Sequence, residues 1–149
     1  MFSKATEYAL RATLFIARKS KEGKRPGLHE IAEEIGSPVS FTAKILQQLT
    51  RNNALIQSVR GPNGGFFISD NVRKKSLDKI LEVMEEKDVL NKCVLGLYEC
   101  SEKNPCPLHH EYKGIKQQLK QLFHSNTIGE TADLTKDNDA FLKITGRHR

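Results

Sequence analysis

Leu28-His29-Glu30-Ile31-Ala32-Glu33-Glu34-Ile35-Gly36-Ser37-Pro38-Val39-Ser40-Phe41 holds two helix signals with a stop between them. Leu28, Ile31, Ala32 and Ile35 fall at i, i+3, i+4 and i+7, the spacing of one buried helix face. Gly36 follows where a left-handed C-terminal cap is expected, because glycine has no Cβ to clash there. Ser37 can cap the next helix, and Pro38 suits its first position, where a missing N–H costs nothing. That helix is expected to reach Asn52, with Phe41, Ile45 and Leu49 facing inward. Ser40, Thr42, Ala43, Lys44, Gln47 and Arg51 are left to cover its remaining surface. Two short helices joined by a tight turn form a helix-turn-helix pattern.

Leu55 to Val59 then reads as a strand, Gly61-Pro62-Asn63-Gly64-Gly65 as a turn, and Phe66 to Ser69 as the return strand. A helix-turn-helix followed at once by a glycine-rich hairpin is the winged-helix order. Upstream, Tyr8, Ala12, Phe15 and Ile16 give a helix over residues 4–19, followed by a polar loop broken by Gly23 and Pro26. Downstream, Leu77, Ile80, Leu81 and Met84 give another amphipathic helix, and residues 88–108 read as irregular. From His109 to Phe123, Tyr112, Ile115, Leu119 and Leu122 line one face of a long polar helix. That stripe is narrow for a domain core, and a symmetric helix pair would bury it in a homodimer. Residues after Asn126 are weakly patterned and read as a partly mobile tail. The expected architecture is mainly α with a small β-hairpin wing. It comprises a winged helix-turn-helix domain over residues 1–86, a cysteine-containing loop over 87–108, and a dimerisation helix and tail over 109–149.

The 149 residues suit one domain with an appendage. Lys and Arg number 24 against 18 Asp and Glu, a net charge of +6, which favours a polyanionic partner. Residues 1–70 carry +4 of that excess and residues 71–149 carry +2. No apolar run is long enough to span a membrane, and Lys4, Glu7 and Arg11 interrupt the N-terminal apolar residues. A cytoplasmic location is expected, where three thiols stay reduced. No phosphate-cradling loop joins a strand to a helix, and no Ser/His/Asp or Cys/His set has a recognisable context. The chain is therefore not expected to be an enzyme.

In a helix-turn-helix, the first turns of the second helix reach base edges in the major groove of double-stranded DNA. Here those residues are Val39, Ser40, Thr42, Ala43 and Lys44. Hydroxyls bond bases or phosphates, and alanine or valine can touch a thymine methyl. The wing adds Arg60, Gly61, Asn63 and Gly64: a cation suited to a narrow minor groove, and glycines that allow close backbone approach. A dimer would present two reading helices to the halves of a palindromic operator.

Cys93, Cys100 and Cys106 fall within one short segment, spaced Cys-x6-Cys-x5-Cys. Thiolates are soft ligands that suit an iron–sulfur cluster or zinc. The usual zinc pattern repeats short Cys-x2-Cys knuckles, which are absent here. A rival reading keeps the winged helix as a protein-interaction module whose cysteines hold structural zinc or remain free thiols.

Thr6-Glu7-Tyr8-Ala9-Leu10-Arg11-Ala12, Ile31-Ala32, Ser40, Ser58-Val59-Arg60-Gly61-Pro62-Asn63-Gly64-Gly65 and Asn126-Thr127-Ile128-Gly129-Glu130 resemble the IscR/NsrR family of bacterial winged-helix regulators. The resemblance implies a dimeric DNA-binding repressor or activator whose three cysteines hold an iron–sulfur cluster of two or four irons. Ser40 and Arg60 match positions that touch DNA in that family, and Ala43 stands where some relatives carry a glutamate that restricts site choice. Three cysteines leave the cluster one ligand short. His109 matches a branch with a histidine after the third cysteine, His110 is its neighbour, and Glu7 matches a carboxylate that the partner subunit supplies in the nitric-oxide-sensing branch.

Overall fold

The computed structural model describes residues 1–97 and 101–135. Ser3 starts the first helix, α1 (Lys4–Lys21), by accepting the Thr6 N–H at 3.1 Å. Tyr8, Ala12, Phe15 and Ile16 are buried along it, as their spacing requires. The next helix, α2 (Leu28–Ile35), buries Ile31, Ala32 and Ile35 and stops at Gly36, whose φ of 71° and ψ of 35° are left-handed. The Gly36 N–H donates to the Glu33 carbonyl at 3.3 Å and the Ser37 N–H to the Ala32 carbonyl at 3.0 Å, a Schellman closure.

That closure corrects the expected cap. Ser37 belongs to the ending of α2 and is buried, so Pro38 takes the N-cap position of α3 (Val39–Thr50). Pro38 has the extended ψ of 143° that an N-cap needs, and its carbonyl accepts the Thr42 N–H at 2.9 Å. Helix α3 stops short of the expected Asn52. Asn52 and Asn53 take φ of 57° and 53°, a left-handed region that asparagine tolerates.

The hairpin pairs β1 (Gln57–Val59) antiparallel to β2 (Gly65–Phe67), with Gln57 opposite Phe67, Ser58 opposite Phe66 and Val59 opposite Gly65. Both strands are shorter than expected because their outer residues bond to helices. The Leu55 and Ile56 N–H groups donate to the Leu49 carbonyl at 3.4 and 3.1 Å, and the Ile68 N–H donates to Ser20 Oγ at 2.9 Å. Leu55, Ile56 and Ile68 are buried and plug the wing into the core formed by α1, α2 and α3.

A single-turn helix follows, α4 (Asp70–Arg73), capped by Ser69, and then α5 (Asp78–Val83), with Ile80 and Leu81 fully buried. A short 3-10 turn, Lys87–Leu90, leads into the cysteine segment, and α6 (His109–Ser125) leaves it.

The expected mobile tail is corrected over residues 128–133, which form a helix, α7 (Ile128–Asp133), packed on α1 and α4. Thr127 caps it by accepting the Glu130 N–H at 3.1 Å. Ile128 and Ala132 are fully buried, and an aliphatic side chain of isoleucine size contributes about 1.5–3 kcal/mol when buried. Arg73 holds the far side, donating to the Ala17 carbonyl at 2.7 Å and pairing with Asp133 at 3.0 Å. Arg18 donates to the Thr135 carbonyl at 3.0 Å. Two buried apolar positions are too few to show a period in sequence. Residues 136–149 lie outside the described residues. Among the described residues, no helix is long and apolar enough to cross a membrane.

Candidate nucleic-acid interface and cysteine centre

The core holds α3 by Ile45, Leu46 and Leu49, and this orientation presents its first turn outward. Val39 is 38% exposed, and Ser40 and Lys44 are exposed with it. Ala43 is half-buried and borders a cleft of about 130 Å³ between α3 and Phe66 of the wing. Thr42 departs from the expectation: it is wholly buried, with Oγ1 donating to the Pro38 carbonyl at 2.9 Å. Its side chain is therefore removed from the reading surface. No side chain caps α3 and its first turn holds no acidic residue, so the N–H groups of its open end can meet a phosphate.

At the wing tip Arg60, Gly61 and Asn63 are exposed. The Gly64 N–H closes the turn on the Gly61 carbonyl at 2.9 Å. A Cβ at Gly64 would run into the Val59 carbonyl, so this glycine is demanded by the turn itself. The result is a tight loop with one exposed guanidinium at its tip.

The second centre lies where the Lys87–Leu90 turn meets α6. Cys93 is buried and Cys106 half-buried, and the Cys106 thiol hydrogen-bonds the Cys93 sulfur. The Leu95 N–H donates to Cys93 Sγ at 3.4 Å, and the Gly96 N–H closes the turn on the Cys93 carbonyl at 3.0 Å. Backbone N–H groups of this turn, Leu95 first, hold the Cys93 thiol below its ordinary pKa against the opposing effect of burial. Gly96 makes the turn possible with a φ of 77°. Cys93 also lines a cleft of about 310 Å³ with Glu86, Lys92 and Tyr112.

Cys106 accepts the His109 N–H on its carbonyl at 3.0 Å, placing His109 in the first turn of α6. The imidazole is buried, with Nε2 at 3.4 Å from the Glu102 carboxylate and its ring edge-on to His110. Glu7 lies on the exposed side of α1, 3.6 Å from Lys4. Cys100 lies outside the described residues, and among those described no three His, Cys, Asp or Glu side chains converge as a metal site. The structure thus brings together two of the expected thiols, with His109 one helical turn away.

Sequence reading missed the Leu95 N–H on the Cys93 sulfur, whose only signal was Gly96 in an otherwise apolar run. It also missed Glu86. Its carboxylate accepts the Ser3 N–H at 3.1 Å and the Ser3 hydroxyl at 2.8 Å, tying the start of α1 to the entrance of the cysteine segment.

Known proteins resemble this chain over most of its length. IscR of Klebsiella pneumoniae (strain 342), an HTH-type transcriptional regulator, is 27% identical over 140 residues, covering 94% of this chain and 82% of that protein. The structure of CymR, the global cysteine regulator of B. subtilis, superposes with a TM-score of 0.70 at 21% identity over 91% of this chain and 98% of that one. IscR of T. potens gives 0.66 at 19% identity over 92% and 89%. Both superpositions share the winged-helix fold, and the relatives regulate transcription rather than catalyse reactions. Residues 2–134 match the family described as Rrf2, iron-dependent transcriptional regulator, and the chain belongs to that family.

Proposed function

We propose that this transcriptional regulator works as a homodimer and senses redox, nitric oxide or iron–sulfur status through an iron–sulfur cluster. Cys93, Cys100 and Cys106 would hold the cluster, with His109 or Glu7 as the fourth ligand. The observation that carries this reading is the contact of Cys106 with Cys93 beside the Leu95 N–H, which donates to the Cys93 sulfur. Two adjacent thiols with an N–H donor on sulfur fit a soft, thiolate-held group, and hydrogen bonds to sulfur are among the levers that set its potential. The cluster, when bound, supplies iron–thiolate chemistry that reacts with oxidants and nitric oxide.

The residues of this chain do the rest. Cys93 and Cys106 fix the two ends of the segment between the reading domain and α6. For His109 to serve as a ligand, its ring must give up Glu102. Glu86 links the segment to Ser3 at the start of α1, so a rearrangement of Cys93 is felt at the helix that backs the wing domain. Such a ligand shifts DNA binding only by favouring one arrangement over the other. Helix α6 leaves Ile115 57% and Leu122 53% exposed, which supports a paired helix as the subunit contact. Val39, Ser40, Ala43 and Lys44 would then read the major groove of a palindromic operator, with Arg60, Gly61, Asn63 and Gly64 at the minor groove.

Anaerobic purification followed by cluster reconstitution tests the reading. The expected product is brown and contains iron and acid-labile sulfide, and Cys93→Ala loses both. Colourless, iron-free protein after reconstitution overturns it, and stoichiometric zinc in that protein supports the structural-zinc alternative.

A further inference from the structure

A third backbone segment lies against the wing. The Phe66 N–H of β2 donates to the Pro26 carbonyl at 2.9 Å, on the side of β2 away from β1. Gly65 is packed so closely there, at φ 148°, that a Cβ would run into the Arg25 carbonyl. The loop between α1 and α2 is thus held by backbone contacts as an edge of the wing. It carries two exposed cations, Lys24 and Arg25. The Arg25 guanidinium sits 5.2 Å from the centre of the Phe67 ring, an arrangement that orients a cation while leaving its N–H fork open. Lys24 pairs with Glu22 at 3.4 Å across an exposed surface, a weak and easily exchanged contact.

Val59, the residue before Arg60, pairs with Gly65, and the Arg25 carbonyl lies against Gly65, so the Arg25 backbone is packed beside the strand pair that carries Arg60. Phosphates line both walls of a minor groove only about 6 Å wide, so a cation flanking the wing meets a wall when Arg60 enters the groove. We infer that Arg25, held over Phe67 and assisted by Lys24, is a phosphate clamp on the groove wall beside the wing. Arg60 enters the groove while Arg25 grips the backbone. This inference rests on the DNA reading of the wing. It gives the α1–α2 loop an electrostatic role that carries no base information, since phosphate contacts position a protein without reading sequence.

The test uses full-length protein and a labelled duplex of about 30 base pairs selected by this protein from a random library, with an unselected duplex as control. Affinity is measured by fluorescence anisotropy between about 50 and 200 mM salt. Arg25→Ala is expected to flatten the plot of log affinity against log salt by about 0.9 per phosphate contact removed. It should weaken selected and unselected duplexes by the same factor, and Arg25→Lys should keep most of the slope. Because the loop is held by backbone bonds, the thermal midpoint of Arg25→Ala should stay at the wild-type value. An unchanged slope in Arg25→Ala, alongside a weakened Arg60→Ala, overturns the clamp and leaves the DNA reading intact. Salt-insensitive or absent binding by the wild-type protein overturns both.

Discussion

Thr42 Oγ1 donates to the Pro38 carbonyl at 2.9 Å, and this bond turns the hydroxyl of Thr42 into the interior while Ser40, two residues earlier, stays in solvent. Two neighbouring hydroxyls on the first turn of α3 thus have opposite fates. Removing Thr42 Oγ1 in Thr42→Val should cost about 0.5–1.5 kcal/mol of stability, the net worth of one hydrogen bond, and leave the DNA affinity of the folded protein unchanged. Ser40→Ala should do the reverse. Urea unfolding and anisotropy on the same two variants check the pair of outcomes.

Gly65 is where the wing meets the α1–α2 loop, with no room for a Cβ against Arg25 and Pro26. Gly65→Ala should therefore cost about 1–3 kcal/mol through backbone strain. It should also lower DNA affinity by displacing the wing. Gly27, whose Cβ would meet open space at a negative φ, is the control. Gly27→Ala is expected to stay within about 1 kcal/mol of wild type. Thermal unfolding followed by circular dichroism distinguishes the two substitutions.

Helix α6 presents Ile115 and Leu122 to solvent on the stripe that also carries Leu119. On the proposed homodimer reading, Ile115→Glu with Leu122→Glu should shift the protein from dimer to monomer in sedimentation velocity. Neither side chain is in the core of the single chain, so far-UV circular dichroism should be preserved. Operator affinity should fall steeply, because one reading helix replaces two.

Glu86 is held below the ordinary glutamate value of 4.5, burial opposing the shift and hydrogen bonds from Thr6 and Ser3 outweighing it. A carboxylate with a lowered folded-state pKa contributes stability that is present above about pH 4.5 and lost as pH falls through the lowered value. Glu86→Gln should flatten the acid limb of a stability–pH curve relative to wild type. Urea midpoints between about pH 3 and 6 measure this. Identical limbs in the two proteins would count against the Ser3–Glu86 clasp.

The helix periods of α1, α2 and α3, the left-handed stop at Gly36 and the glycine-rich wing were legible from sequence alone. Each rests on local physics: side-chain spacing on a helix, and backbone angles that only certain residues tolerate. The same logic singled out Arg60 and the three cysteines as candidates by residue type and spacing. Tertiary structure decided what local chemistry leaves open. Ser37 lost its cap because Pro38 is extended and its carbonyl accepts the first helical N–H, that of Thr42, leaving Ser37 one residue outside the helix. Thr42 turned inward because the core fixes the rotation of α3. Residues 128–133 became α7 because Arg73 and the buried face of α1 stabilise a helix too short to form alone. Cys93 gained its N–H donor, and Arg25 its place beside the wing, through contacts that no period in the chain encodes.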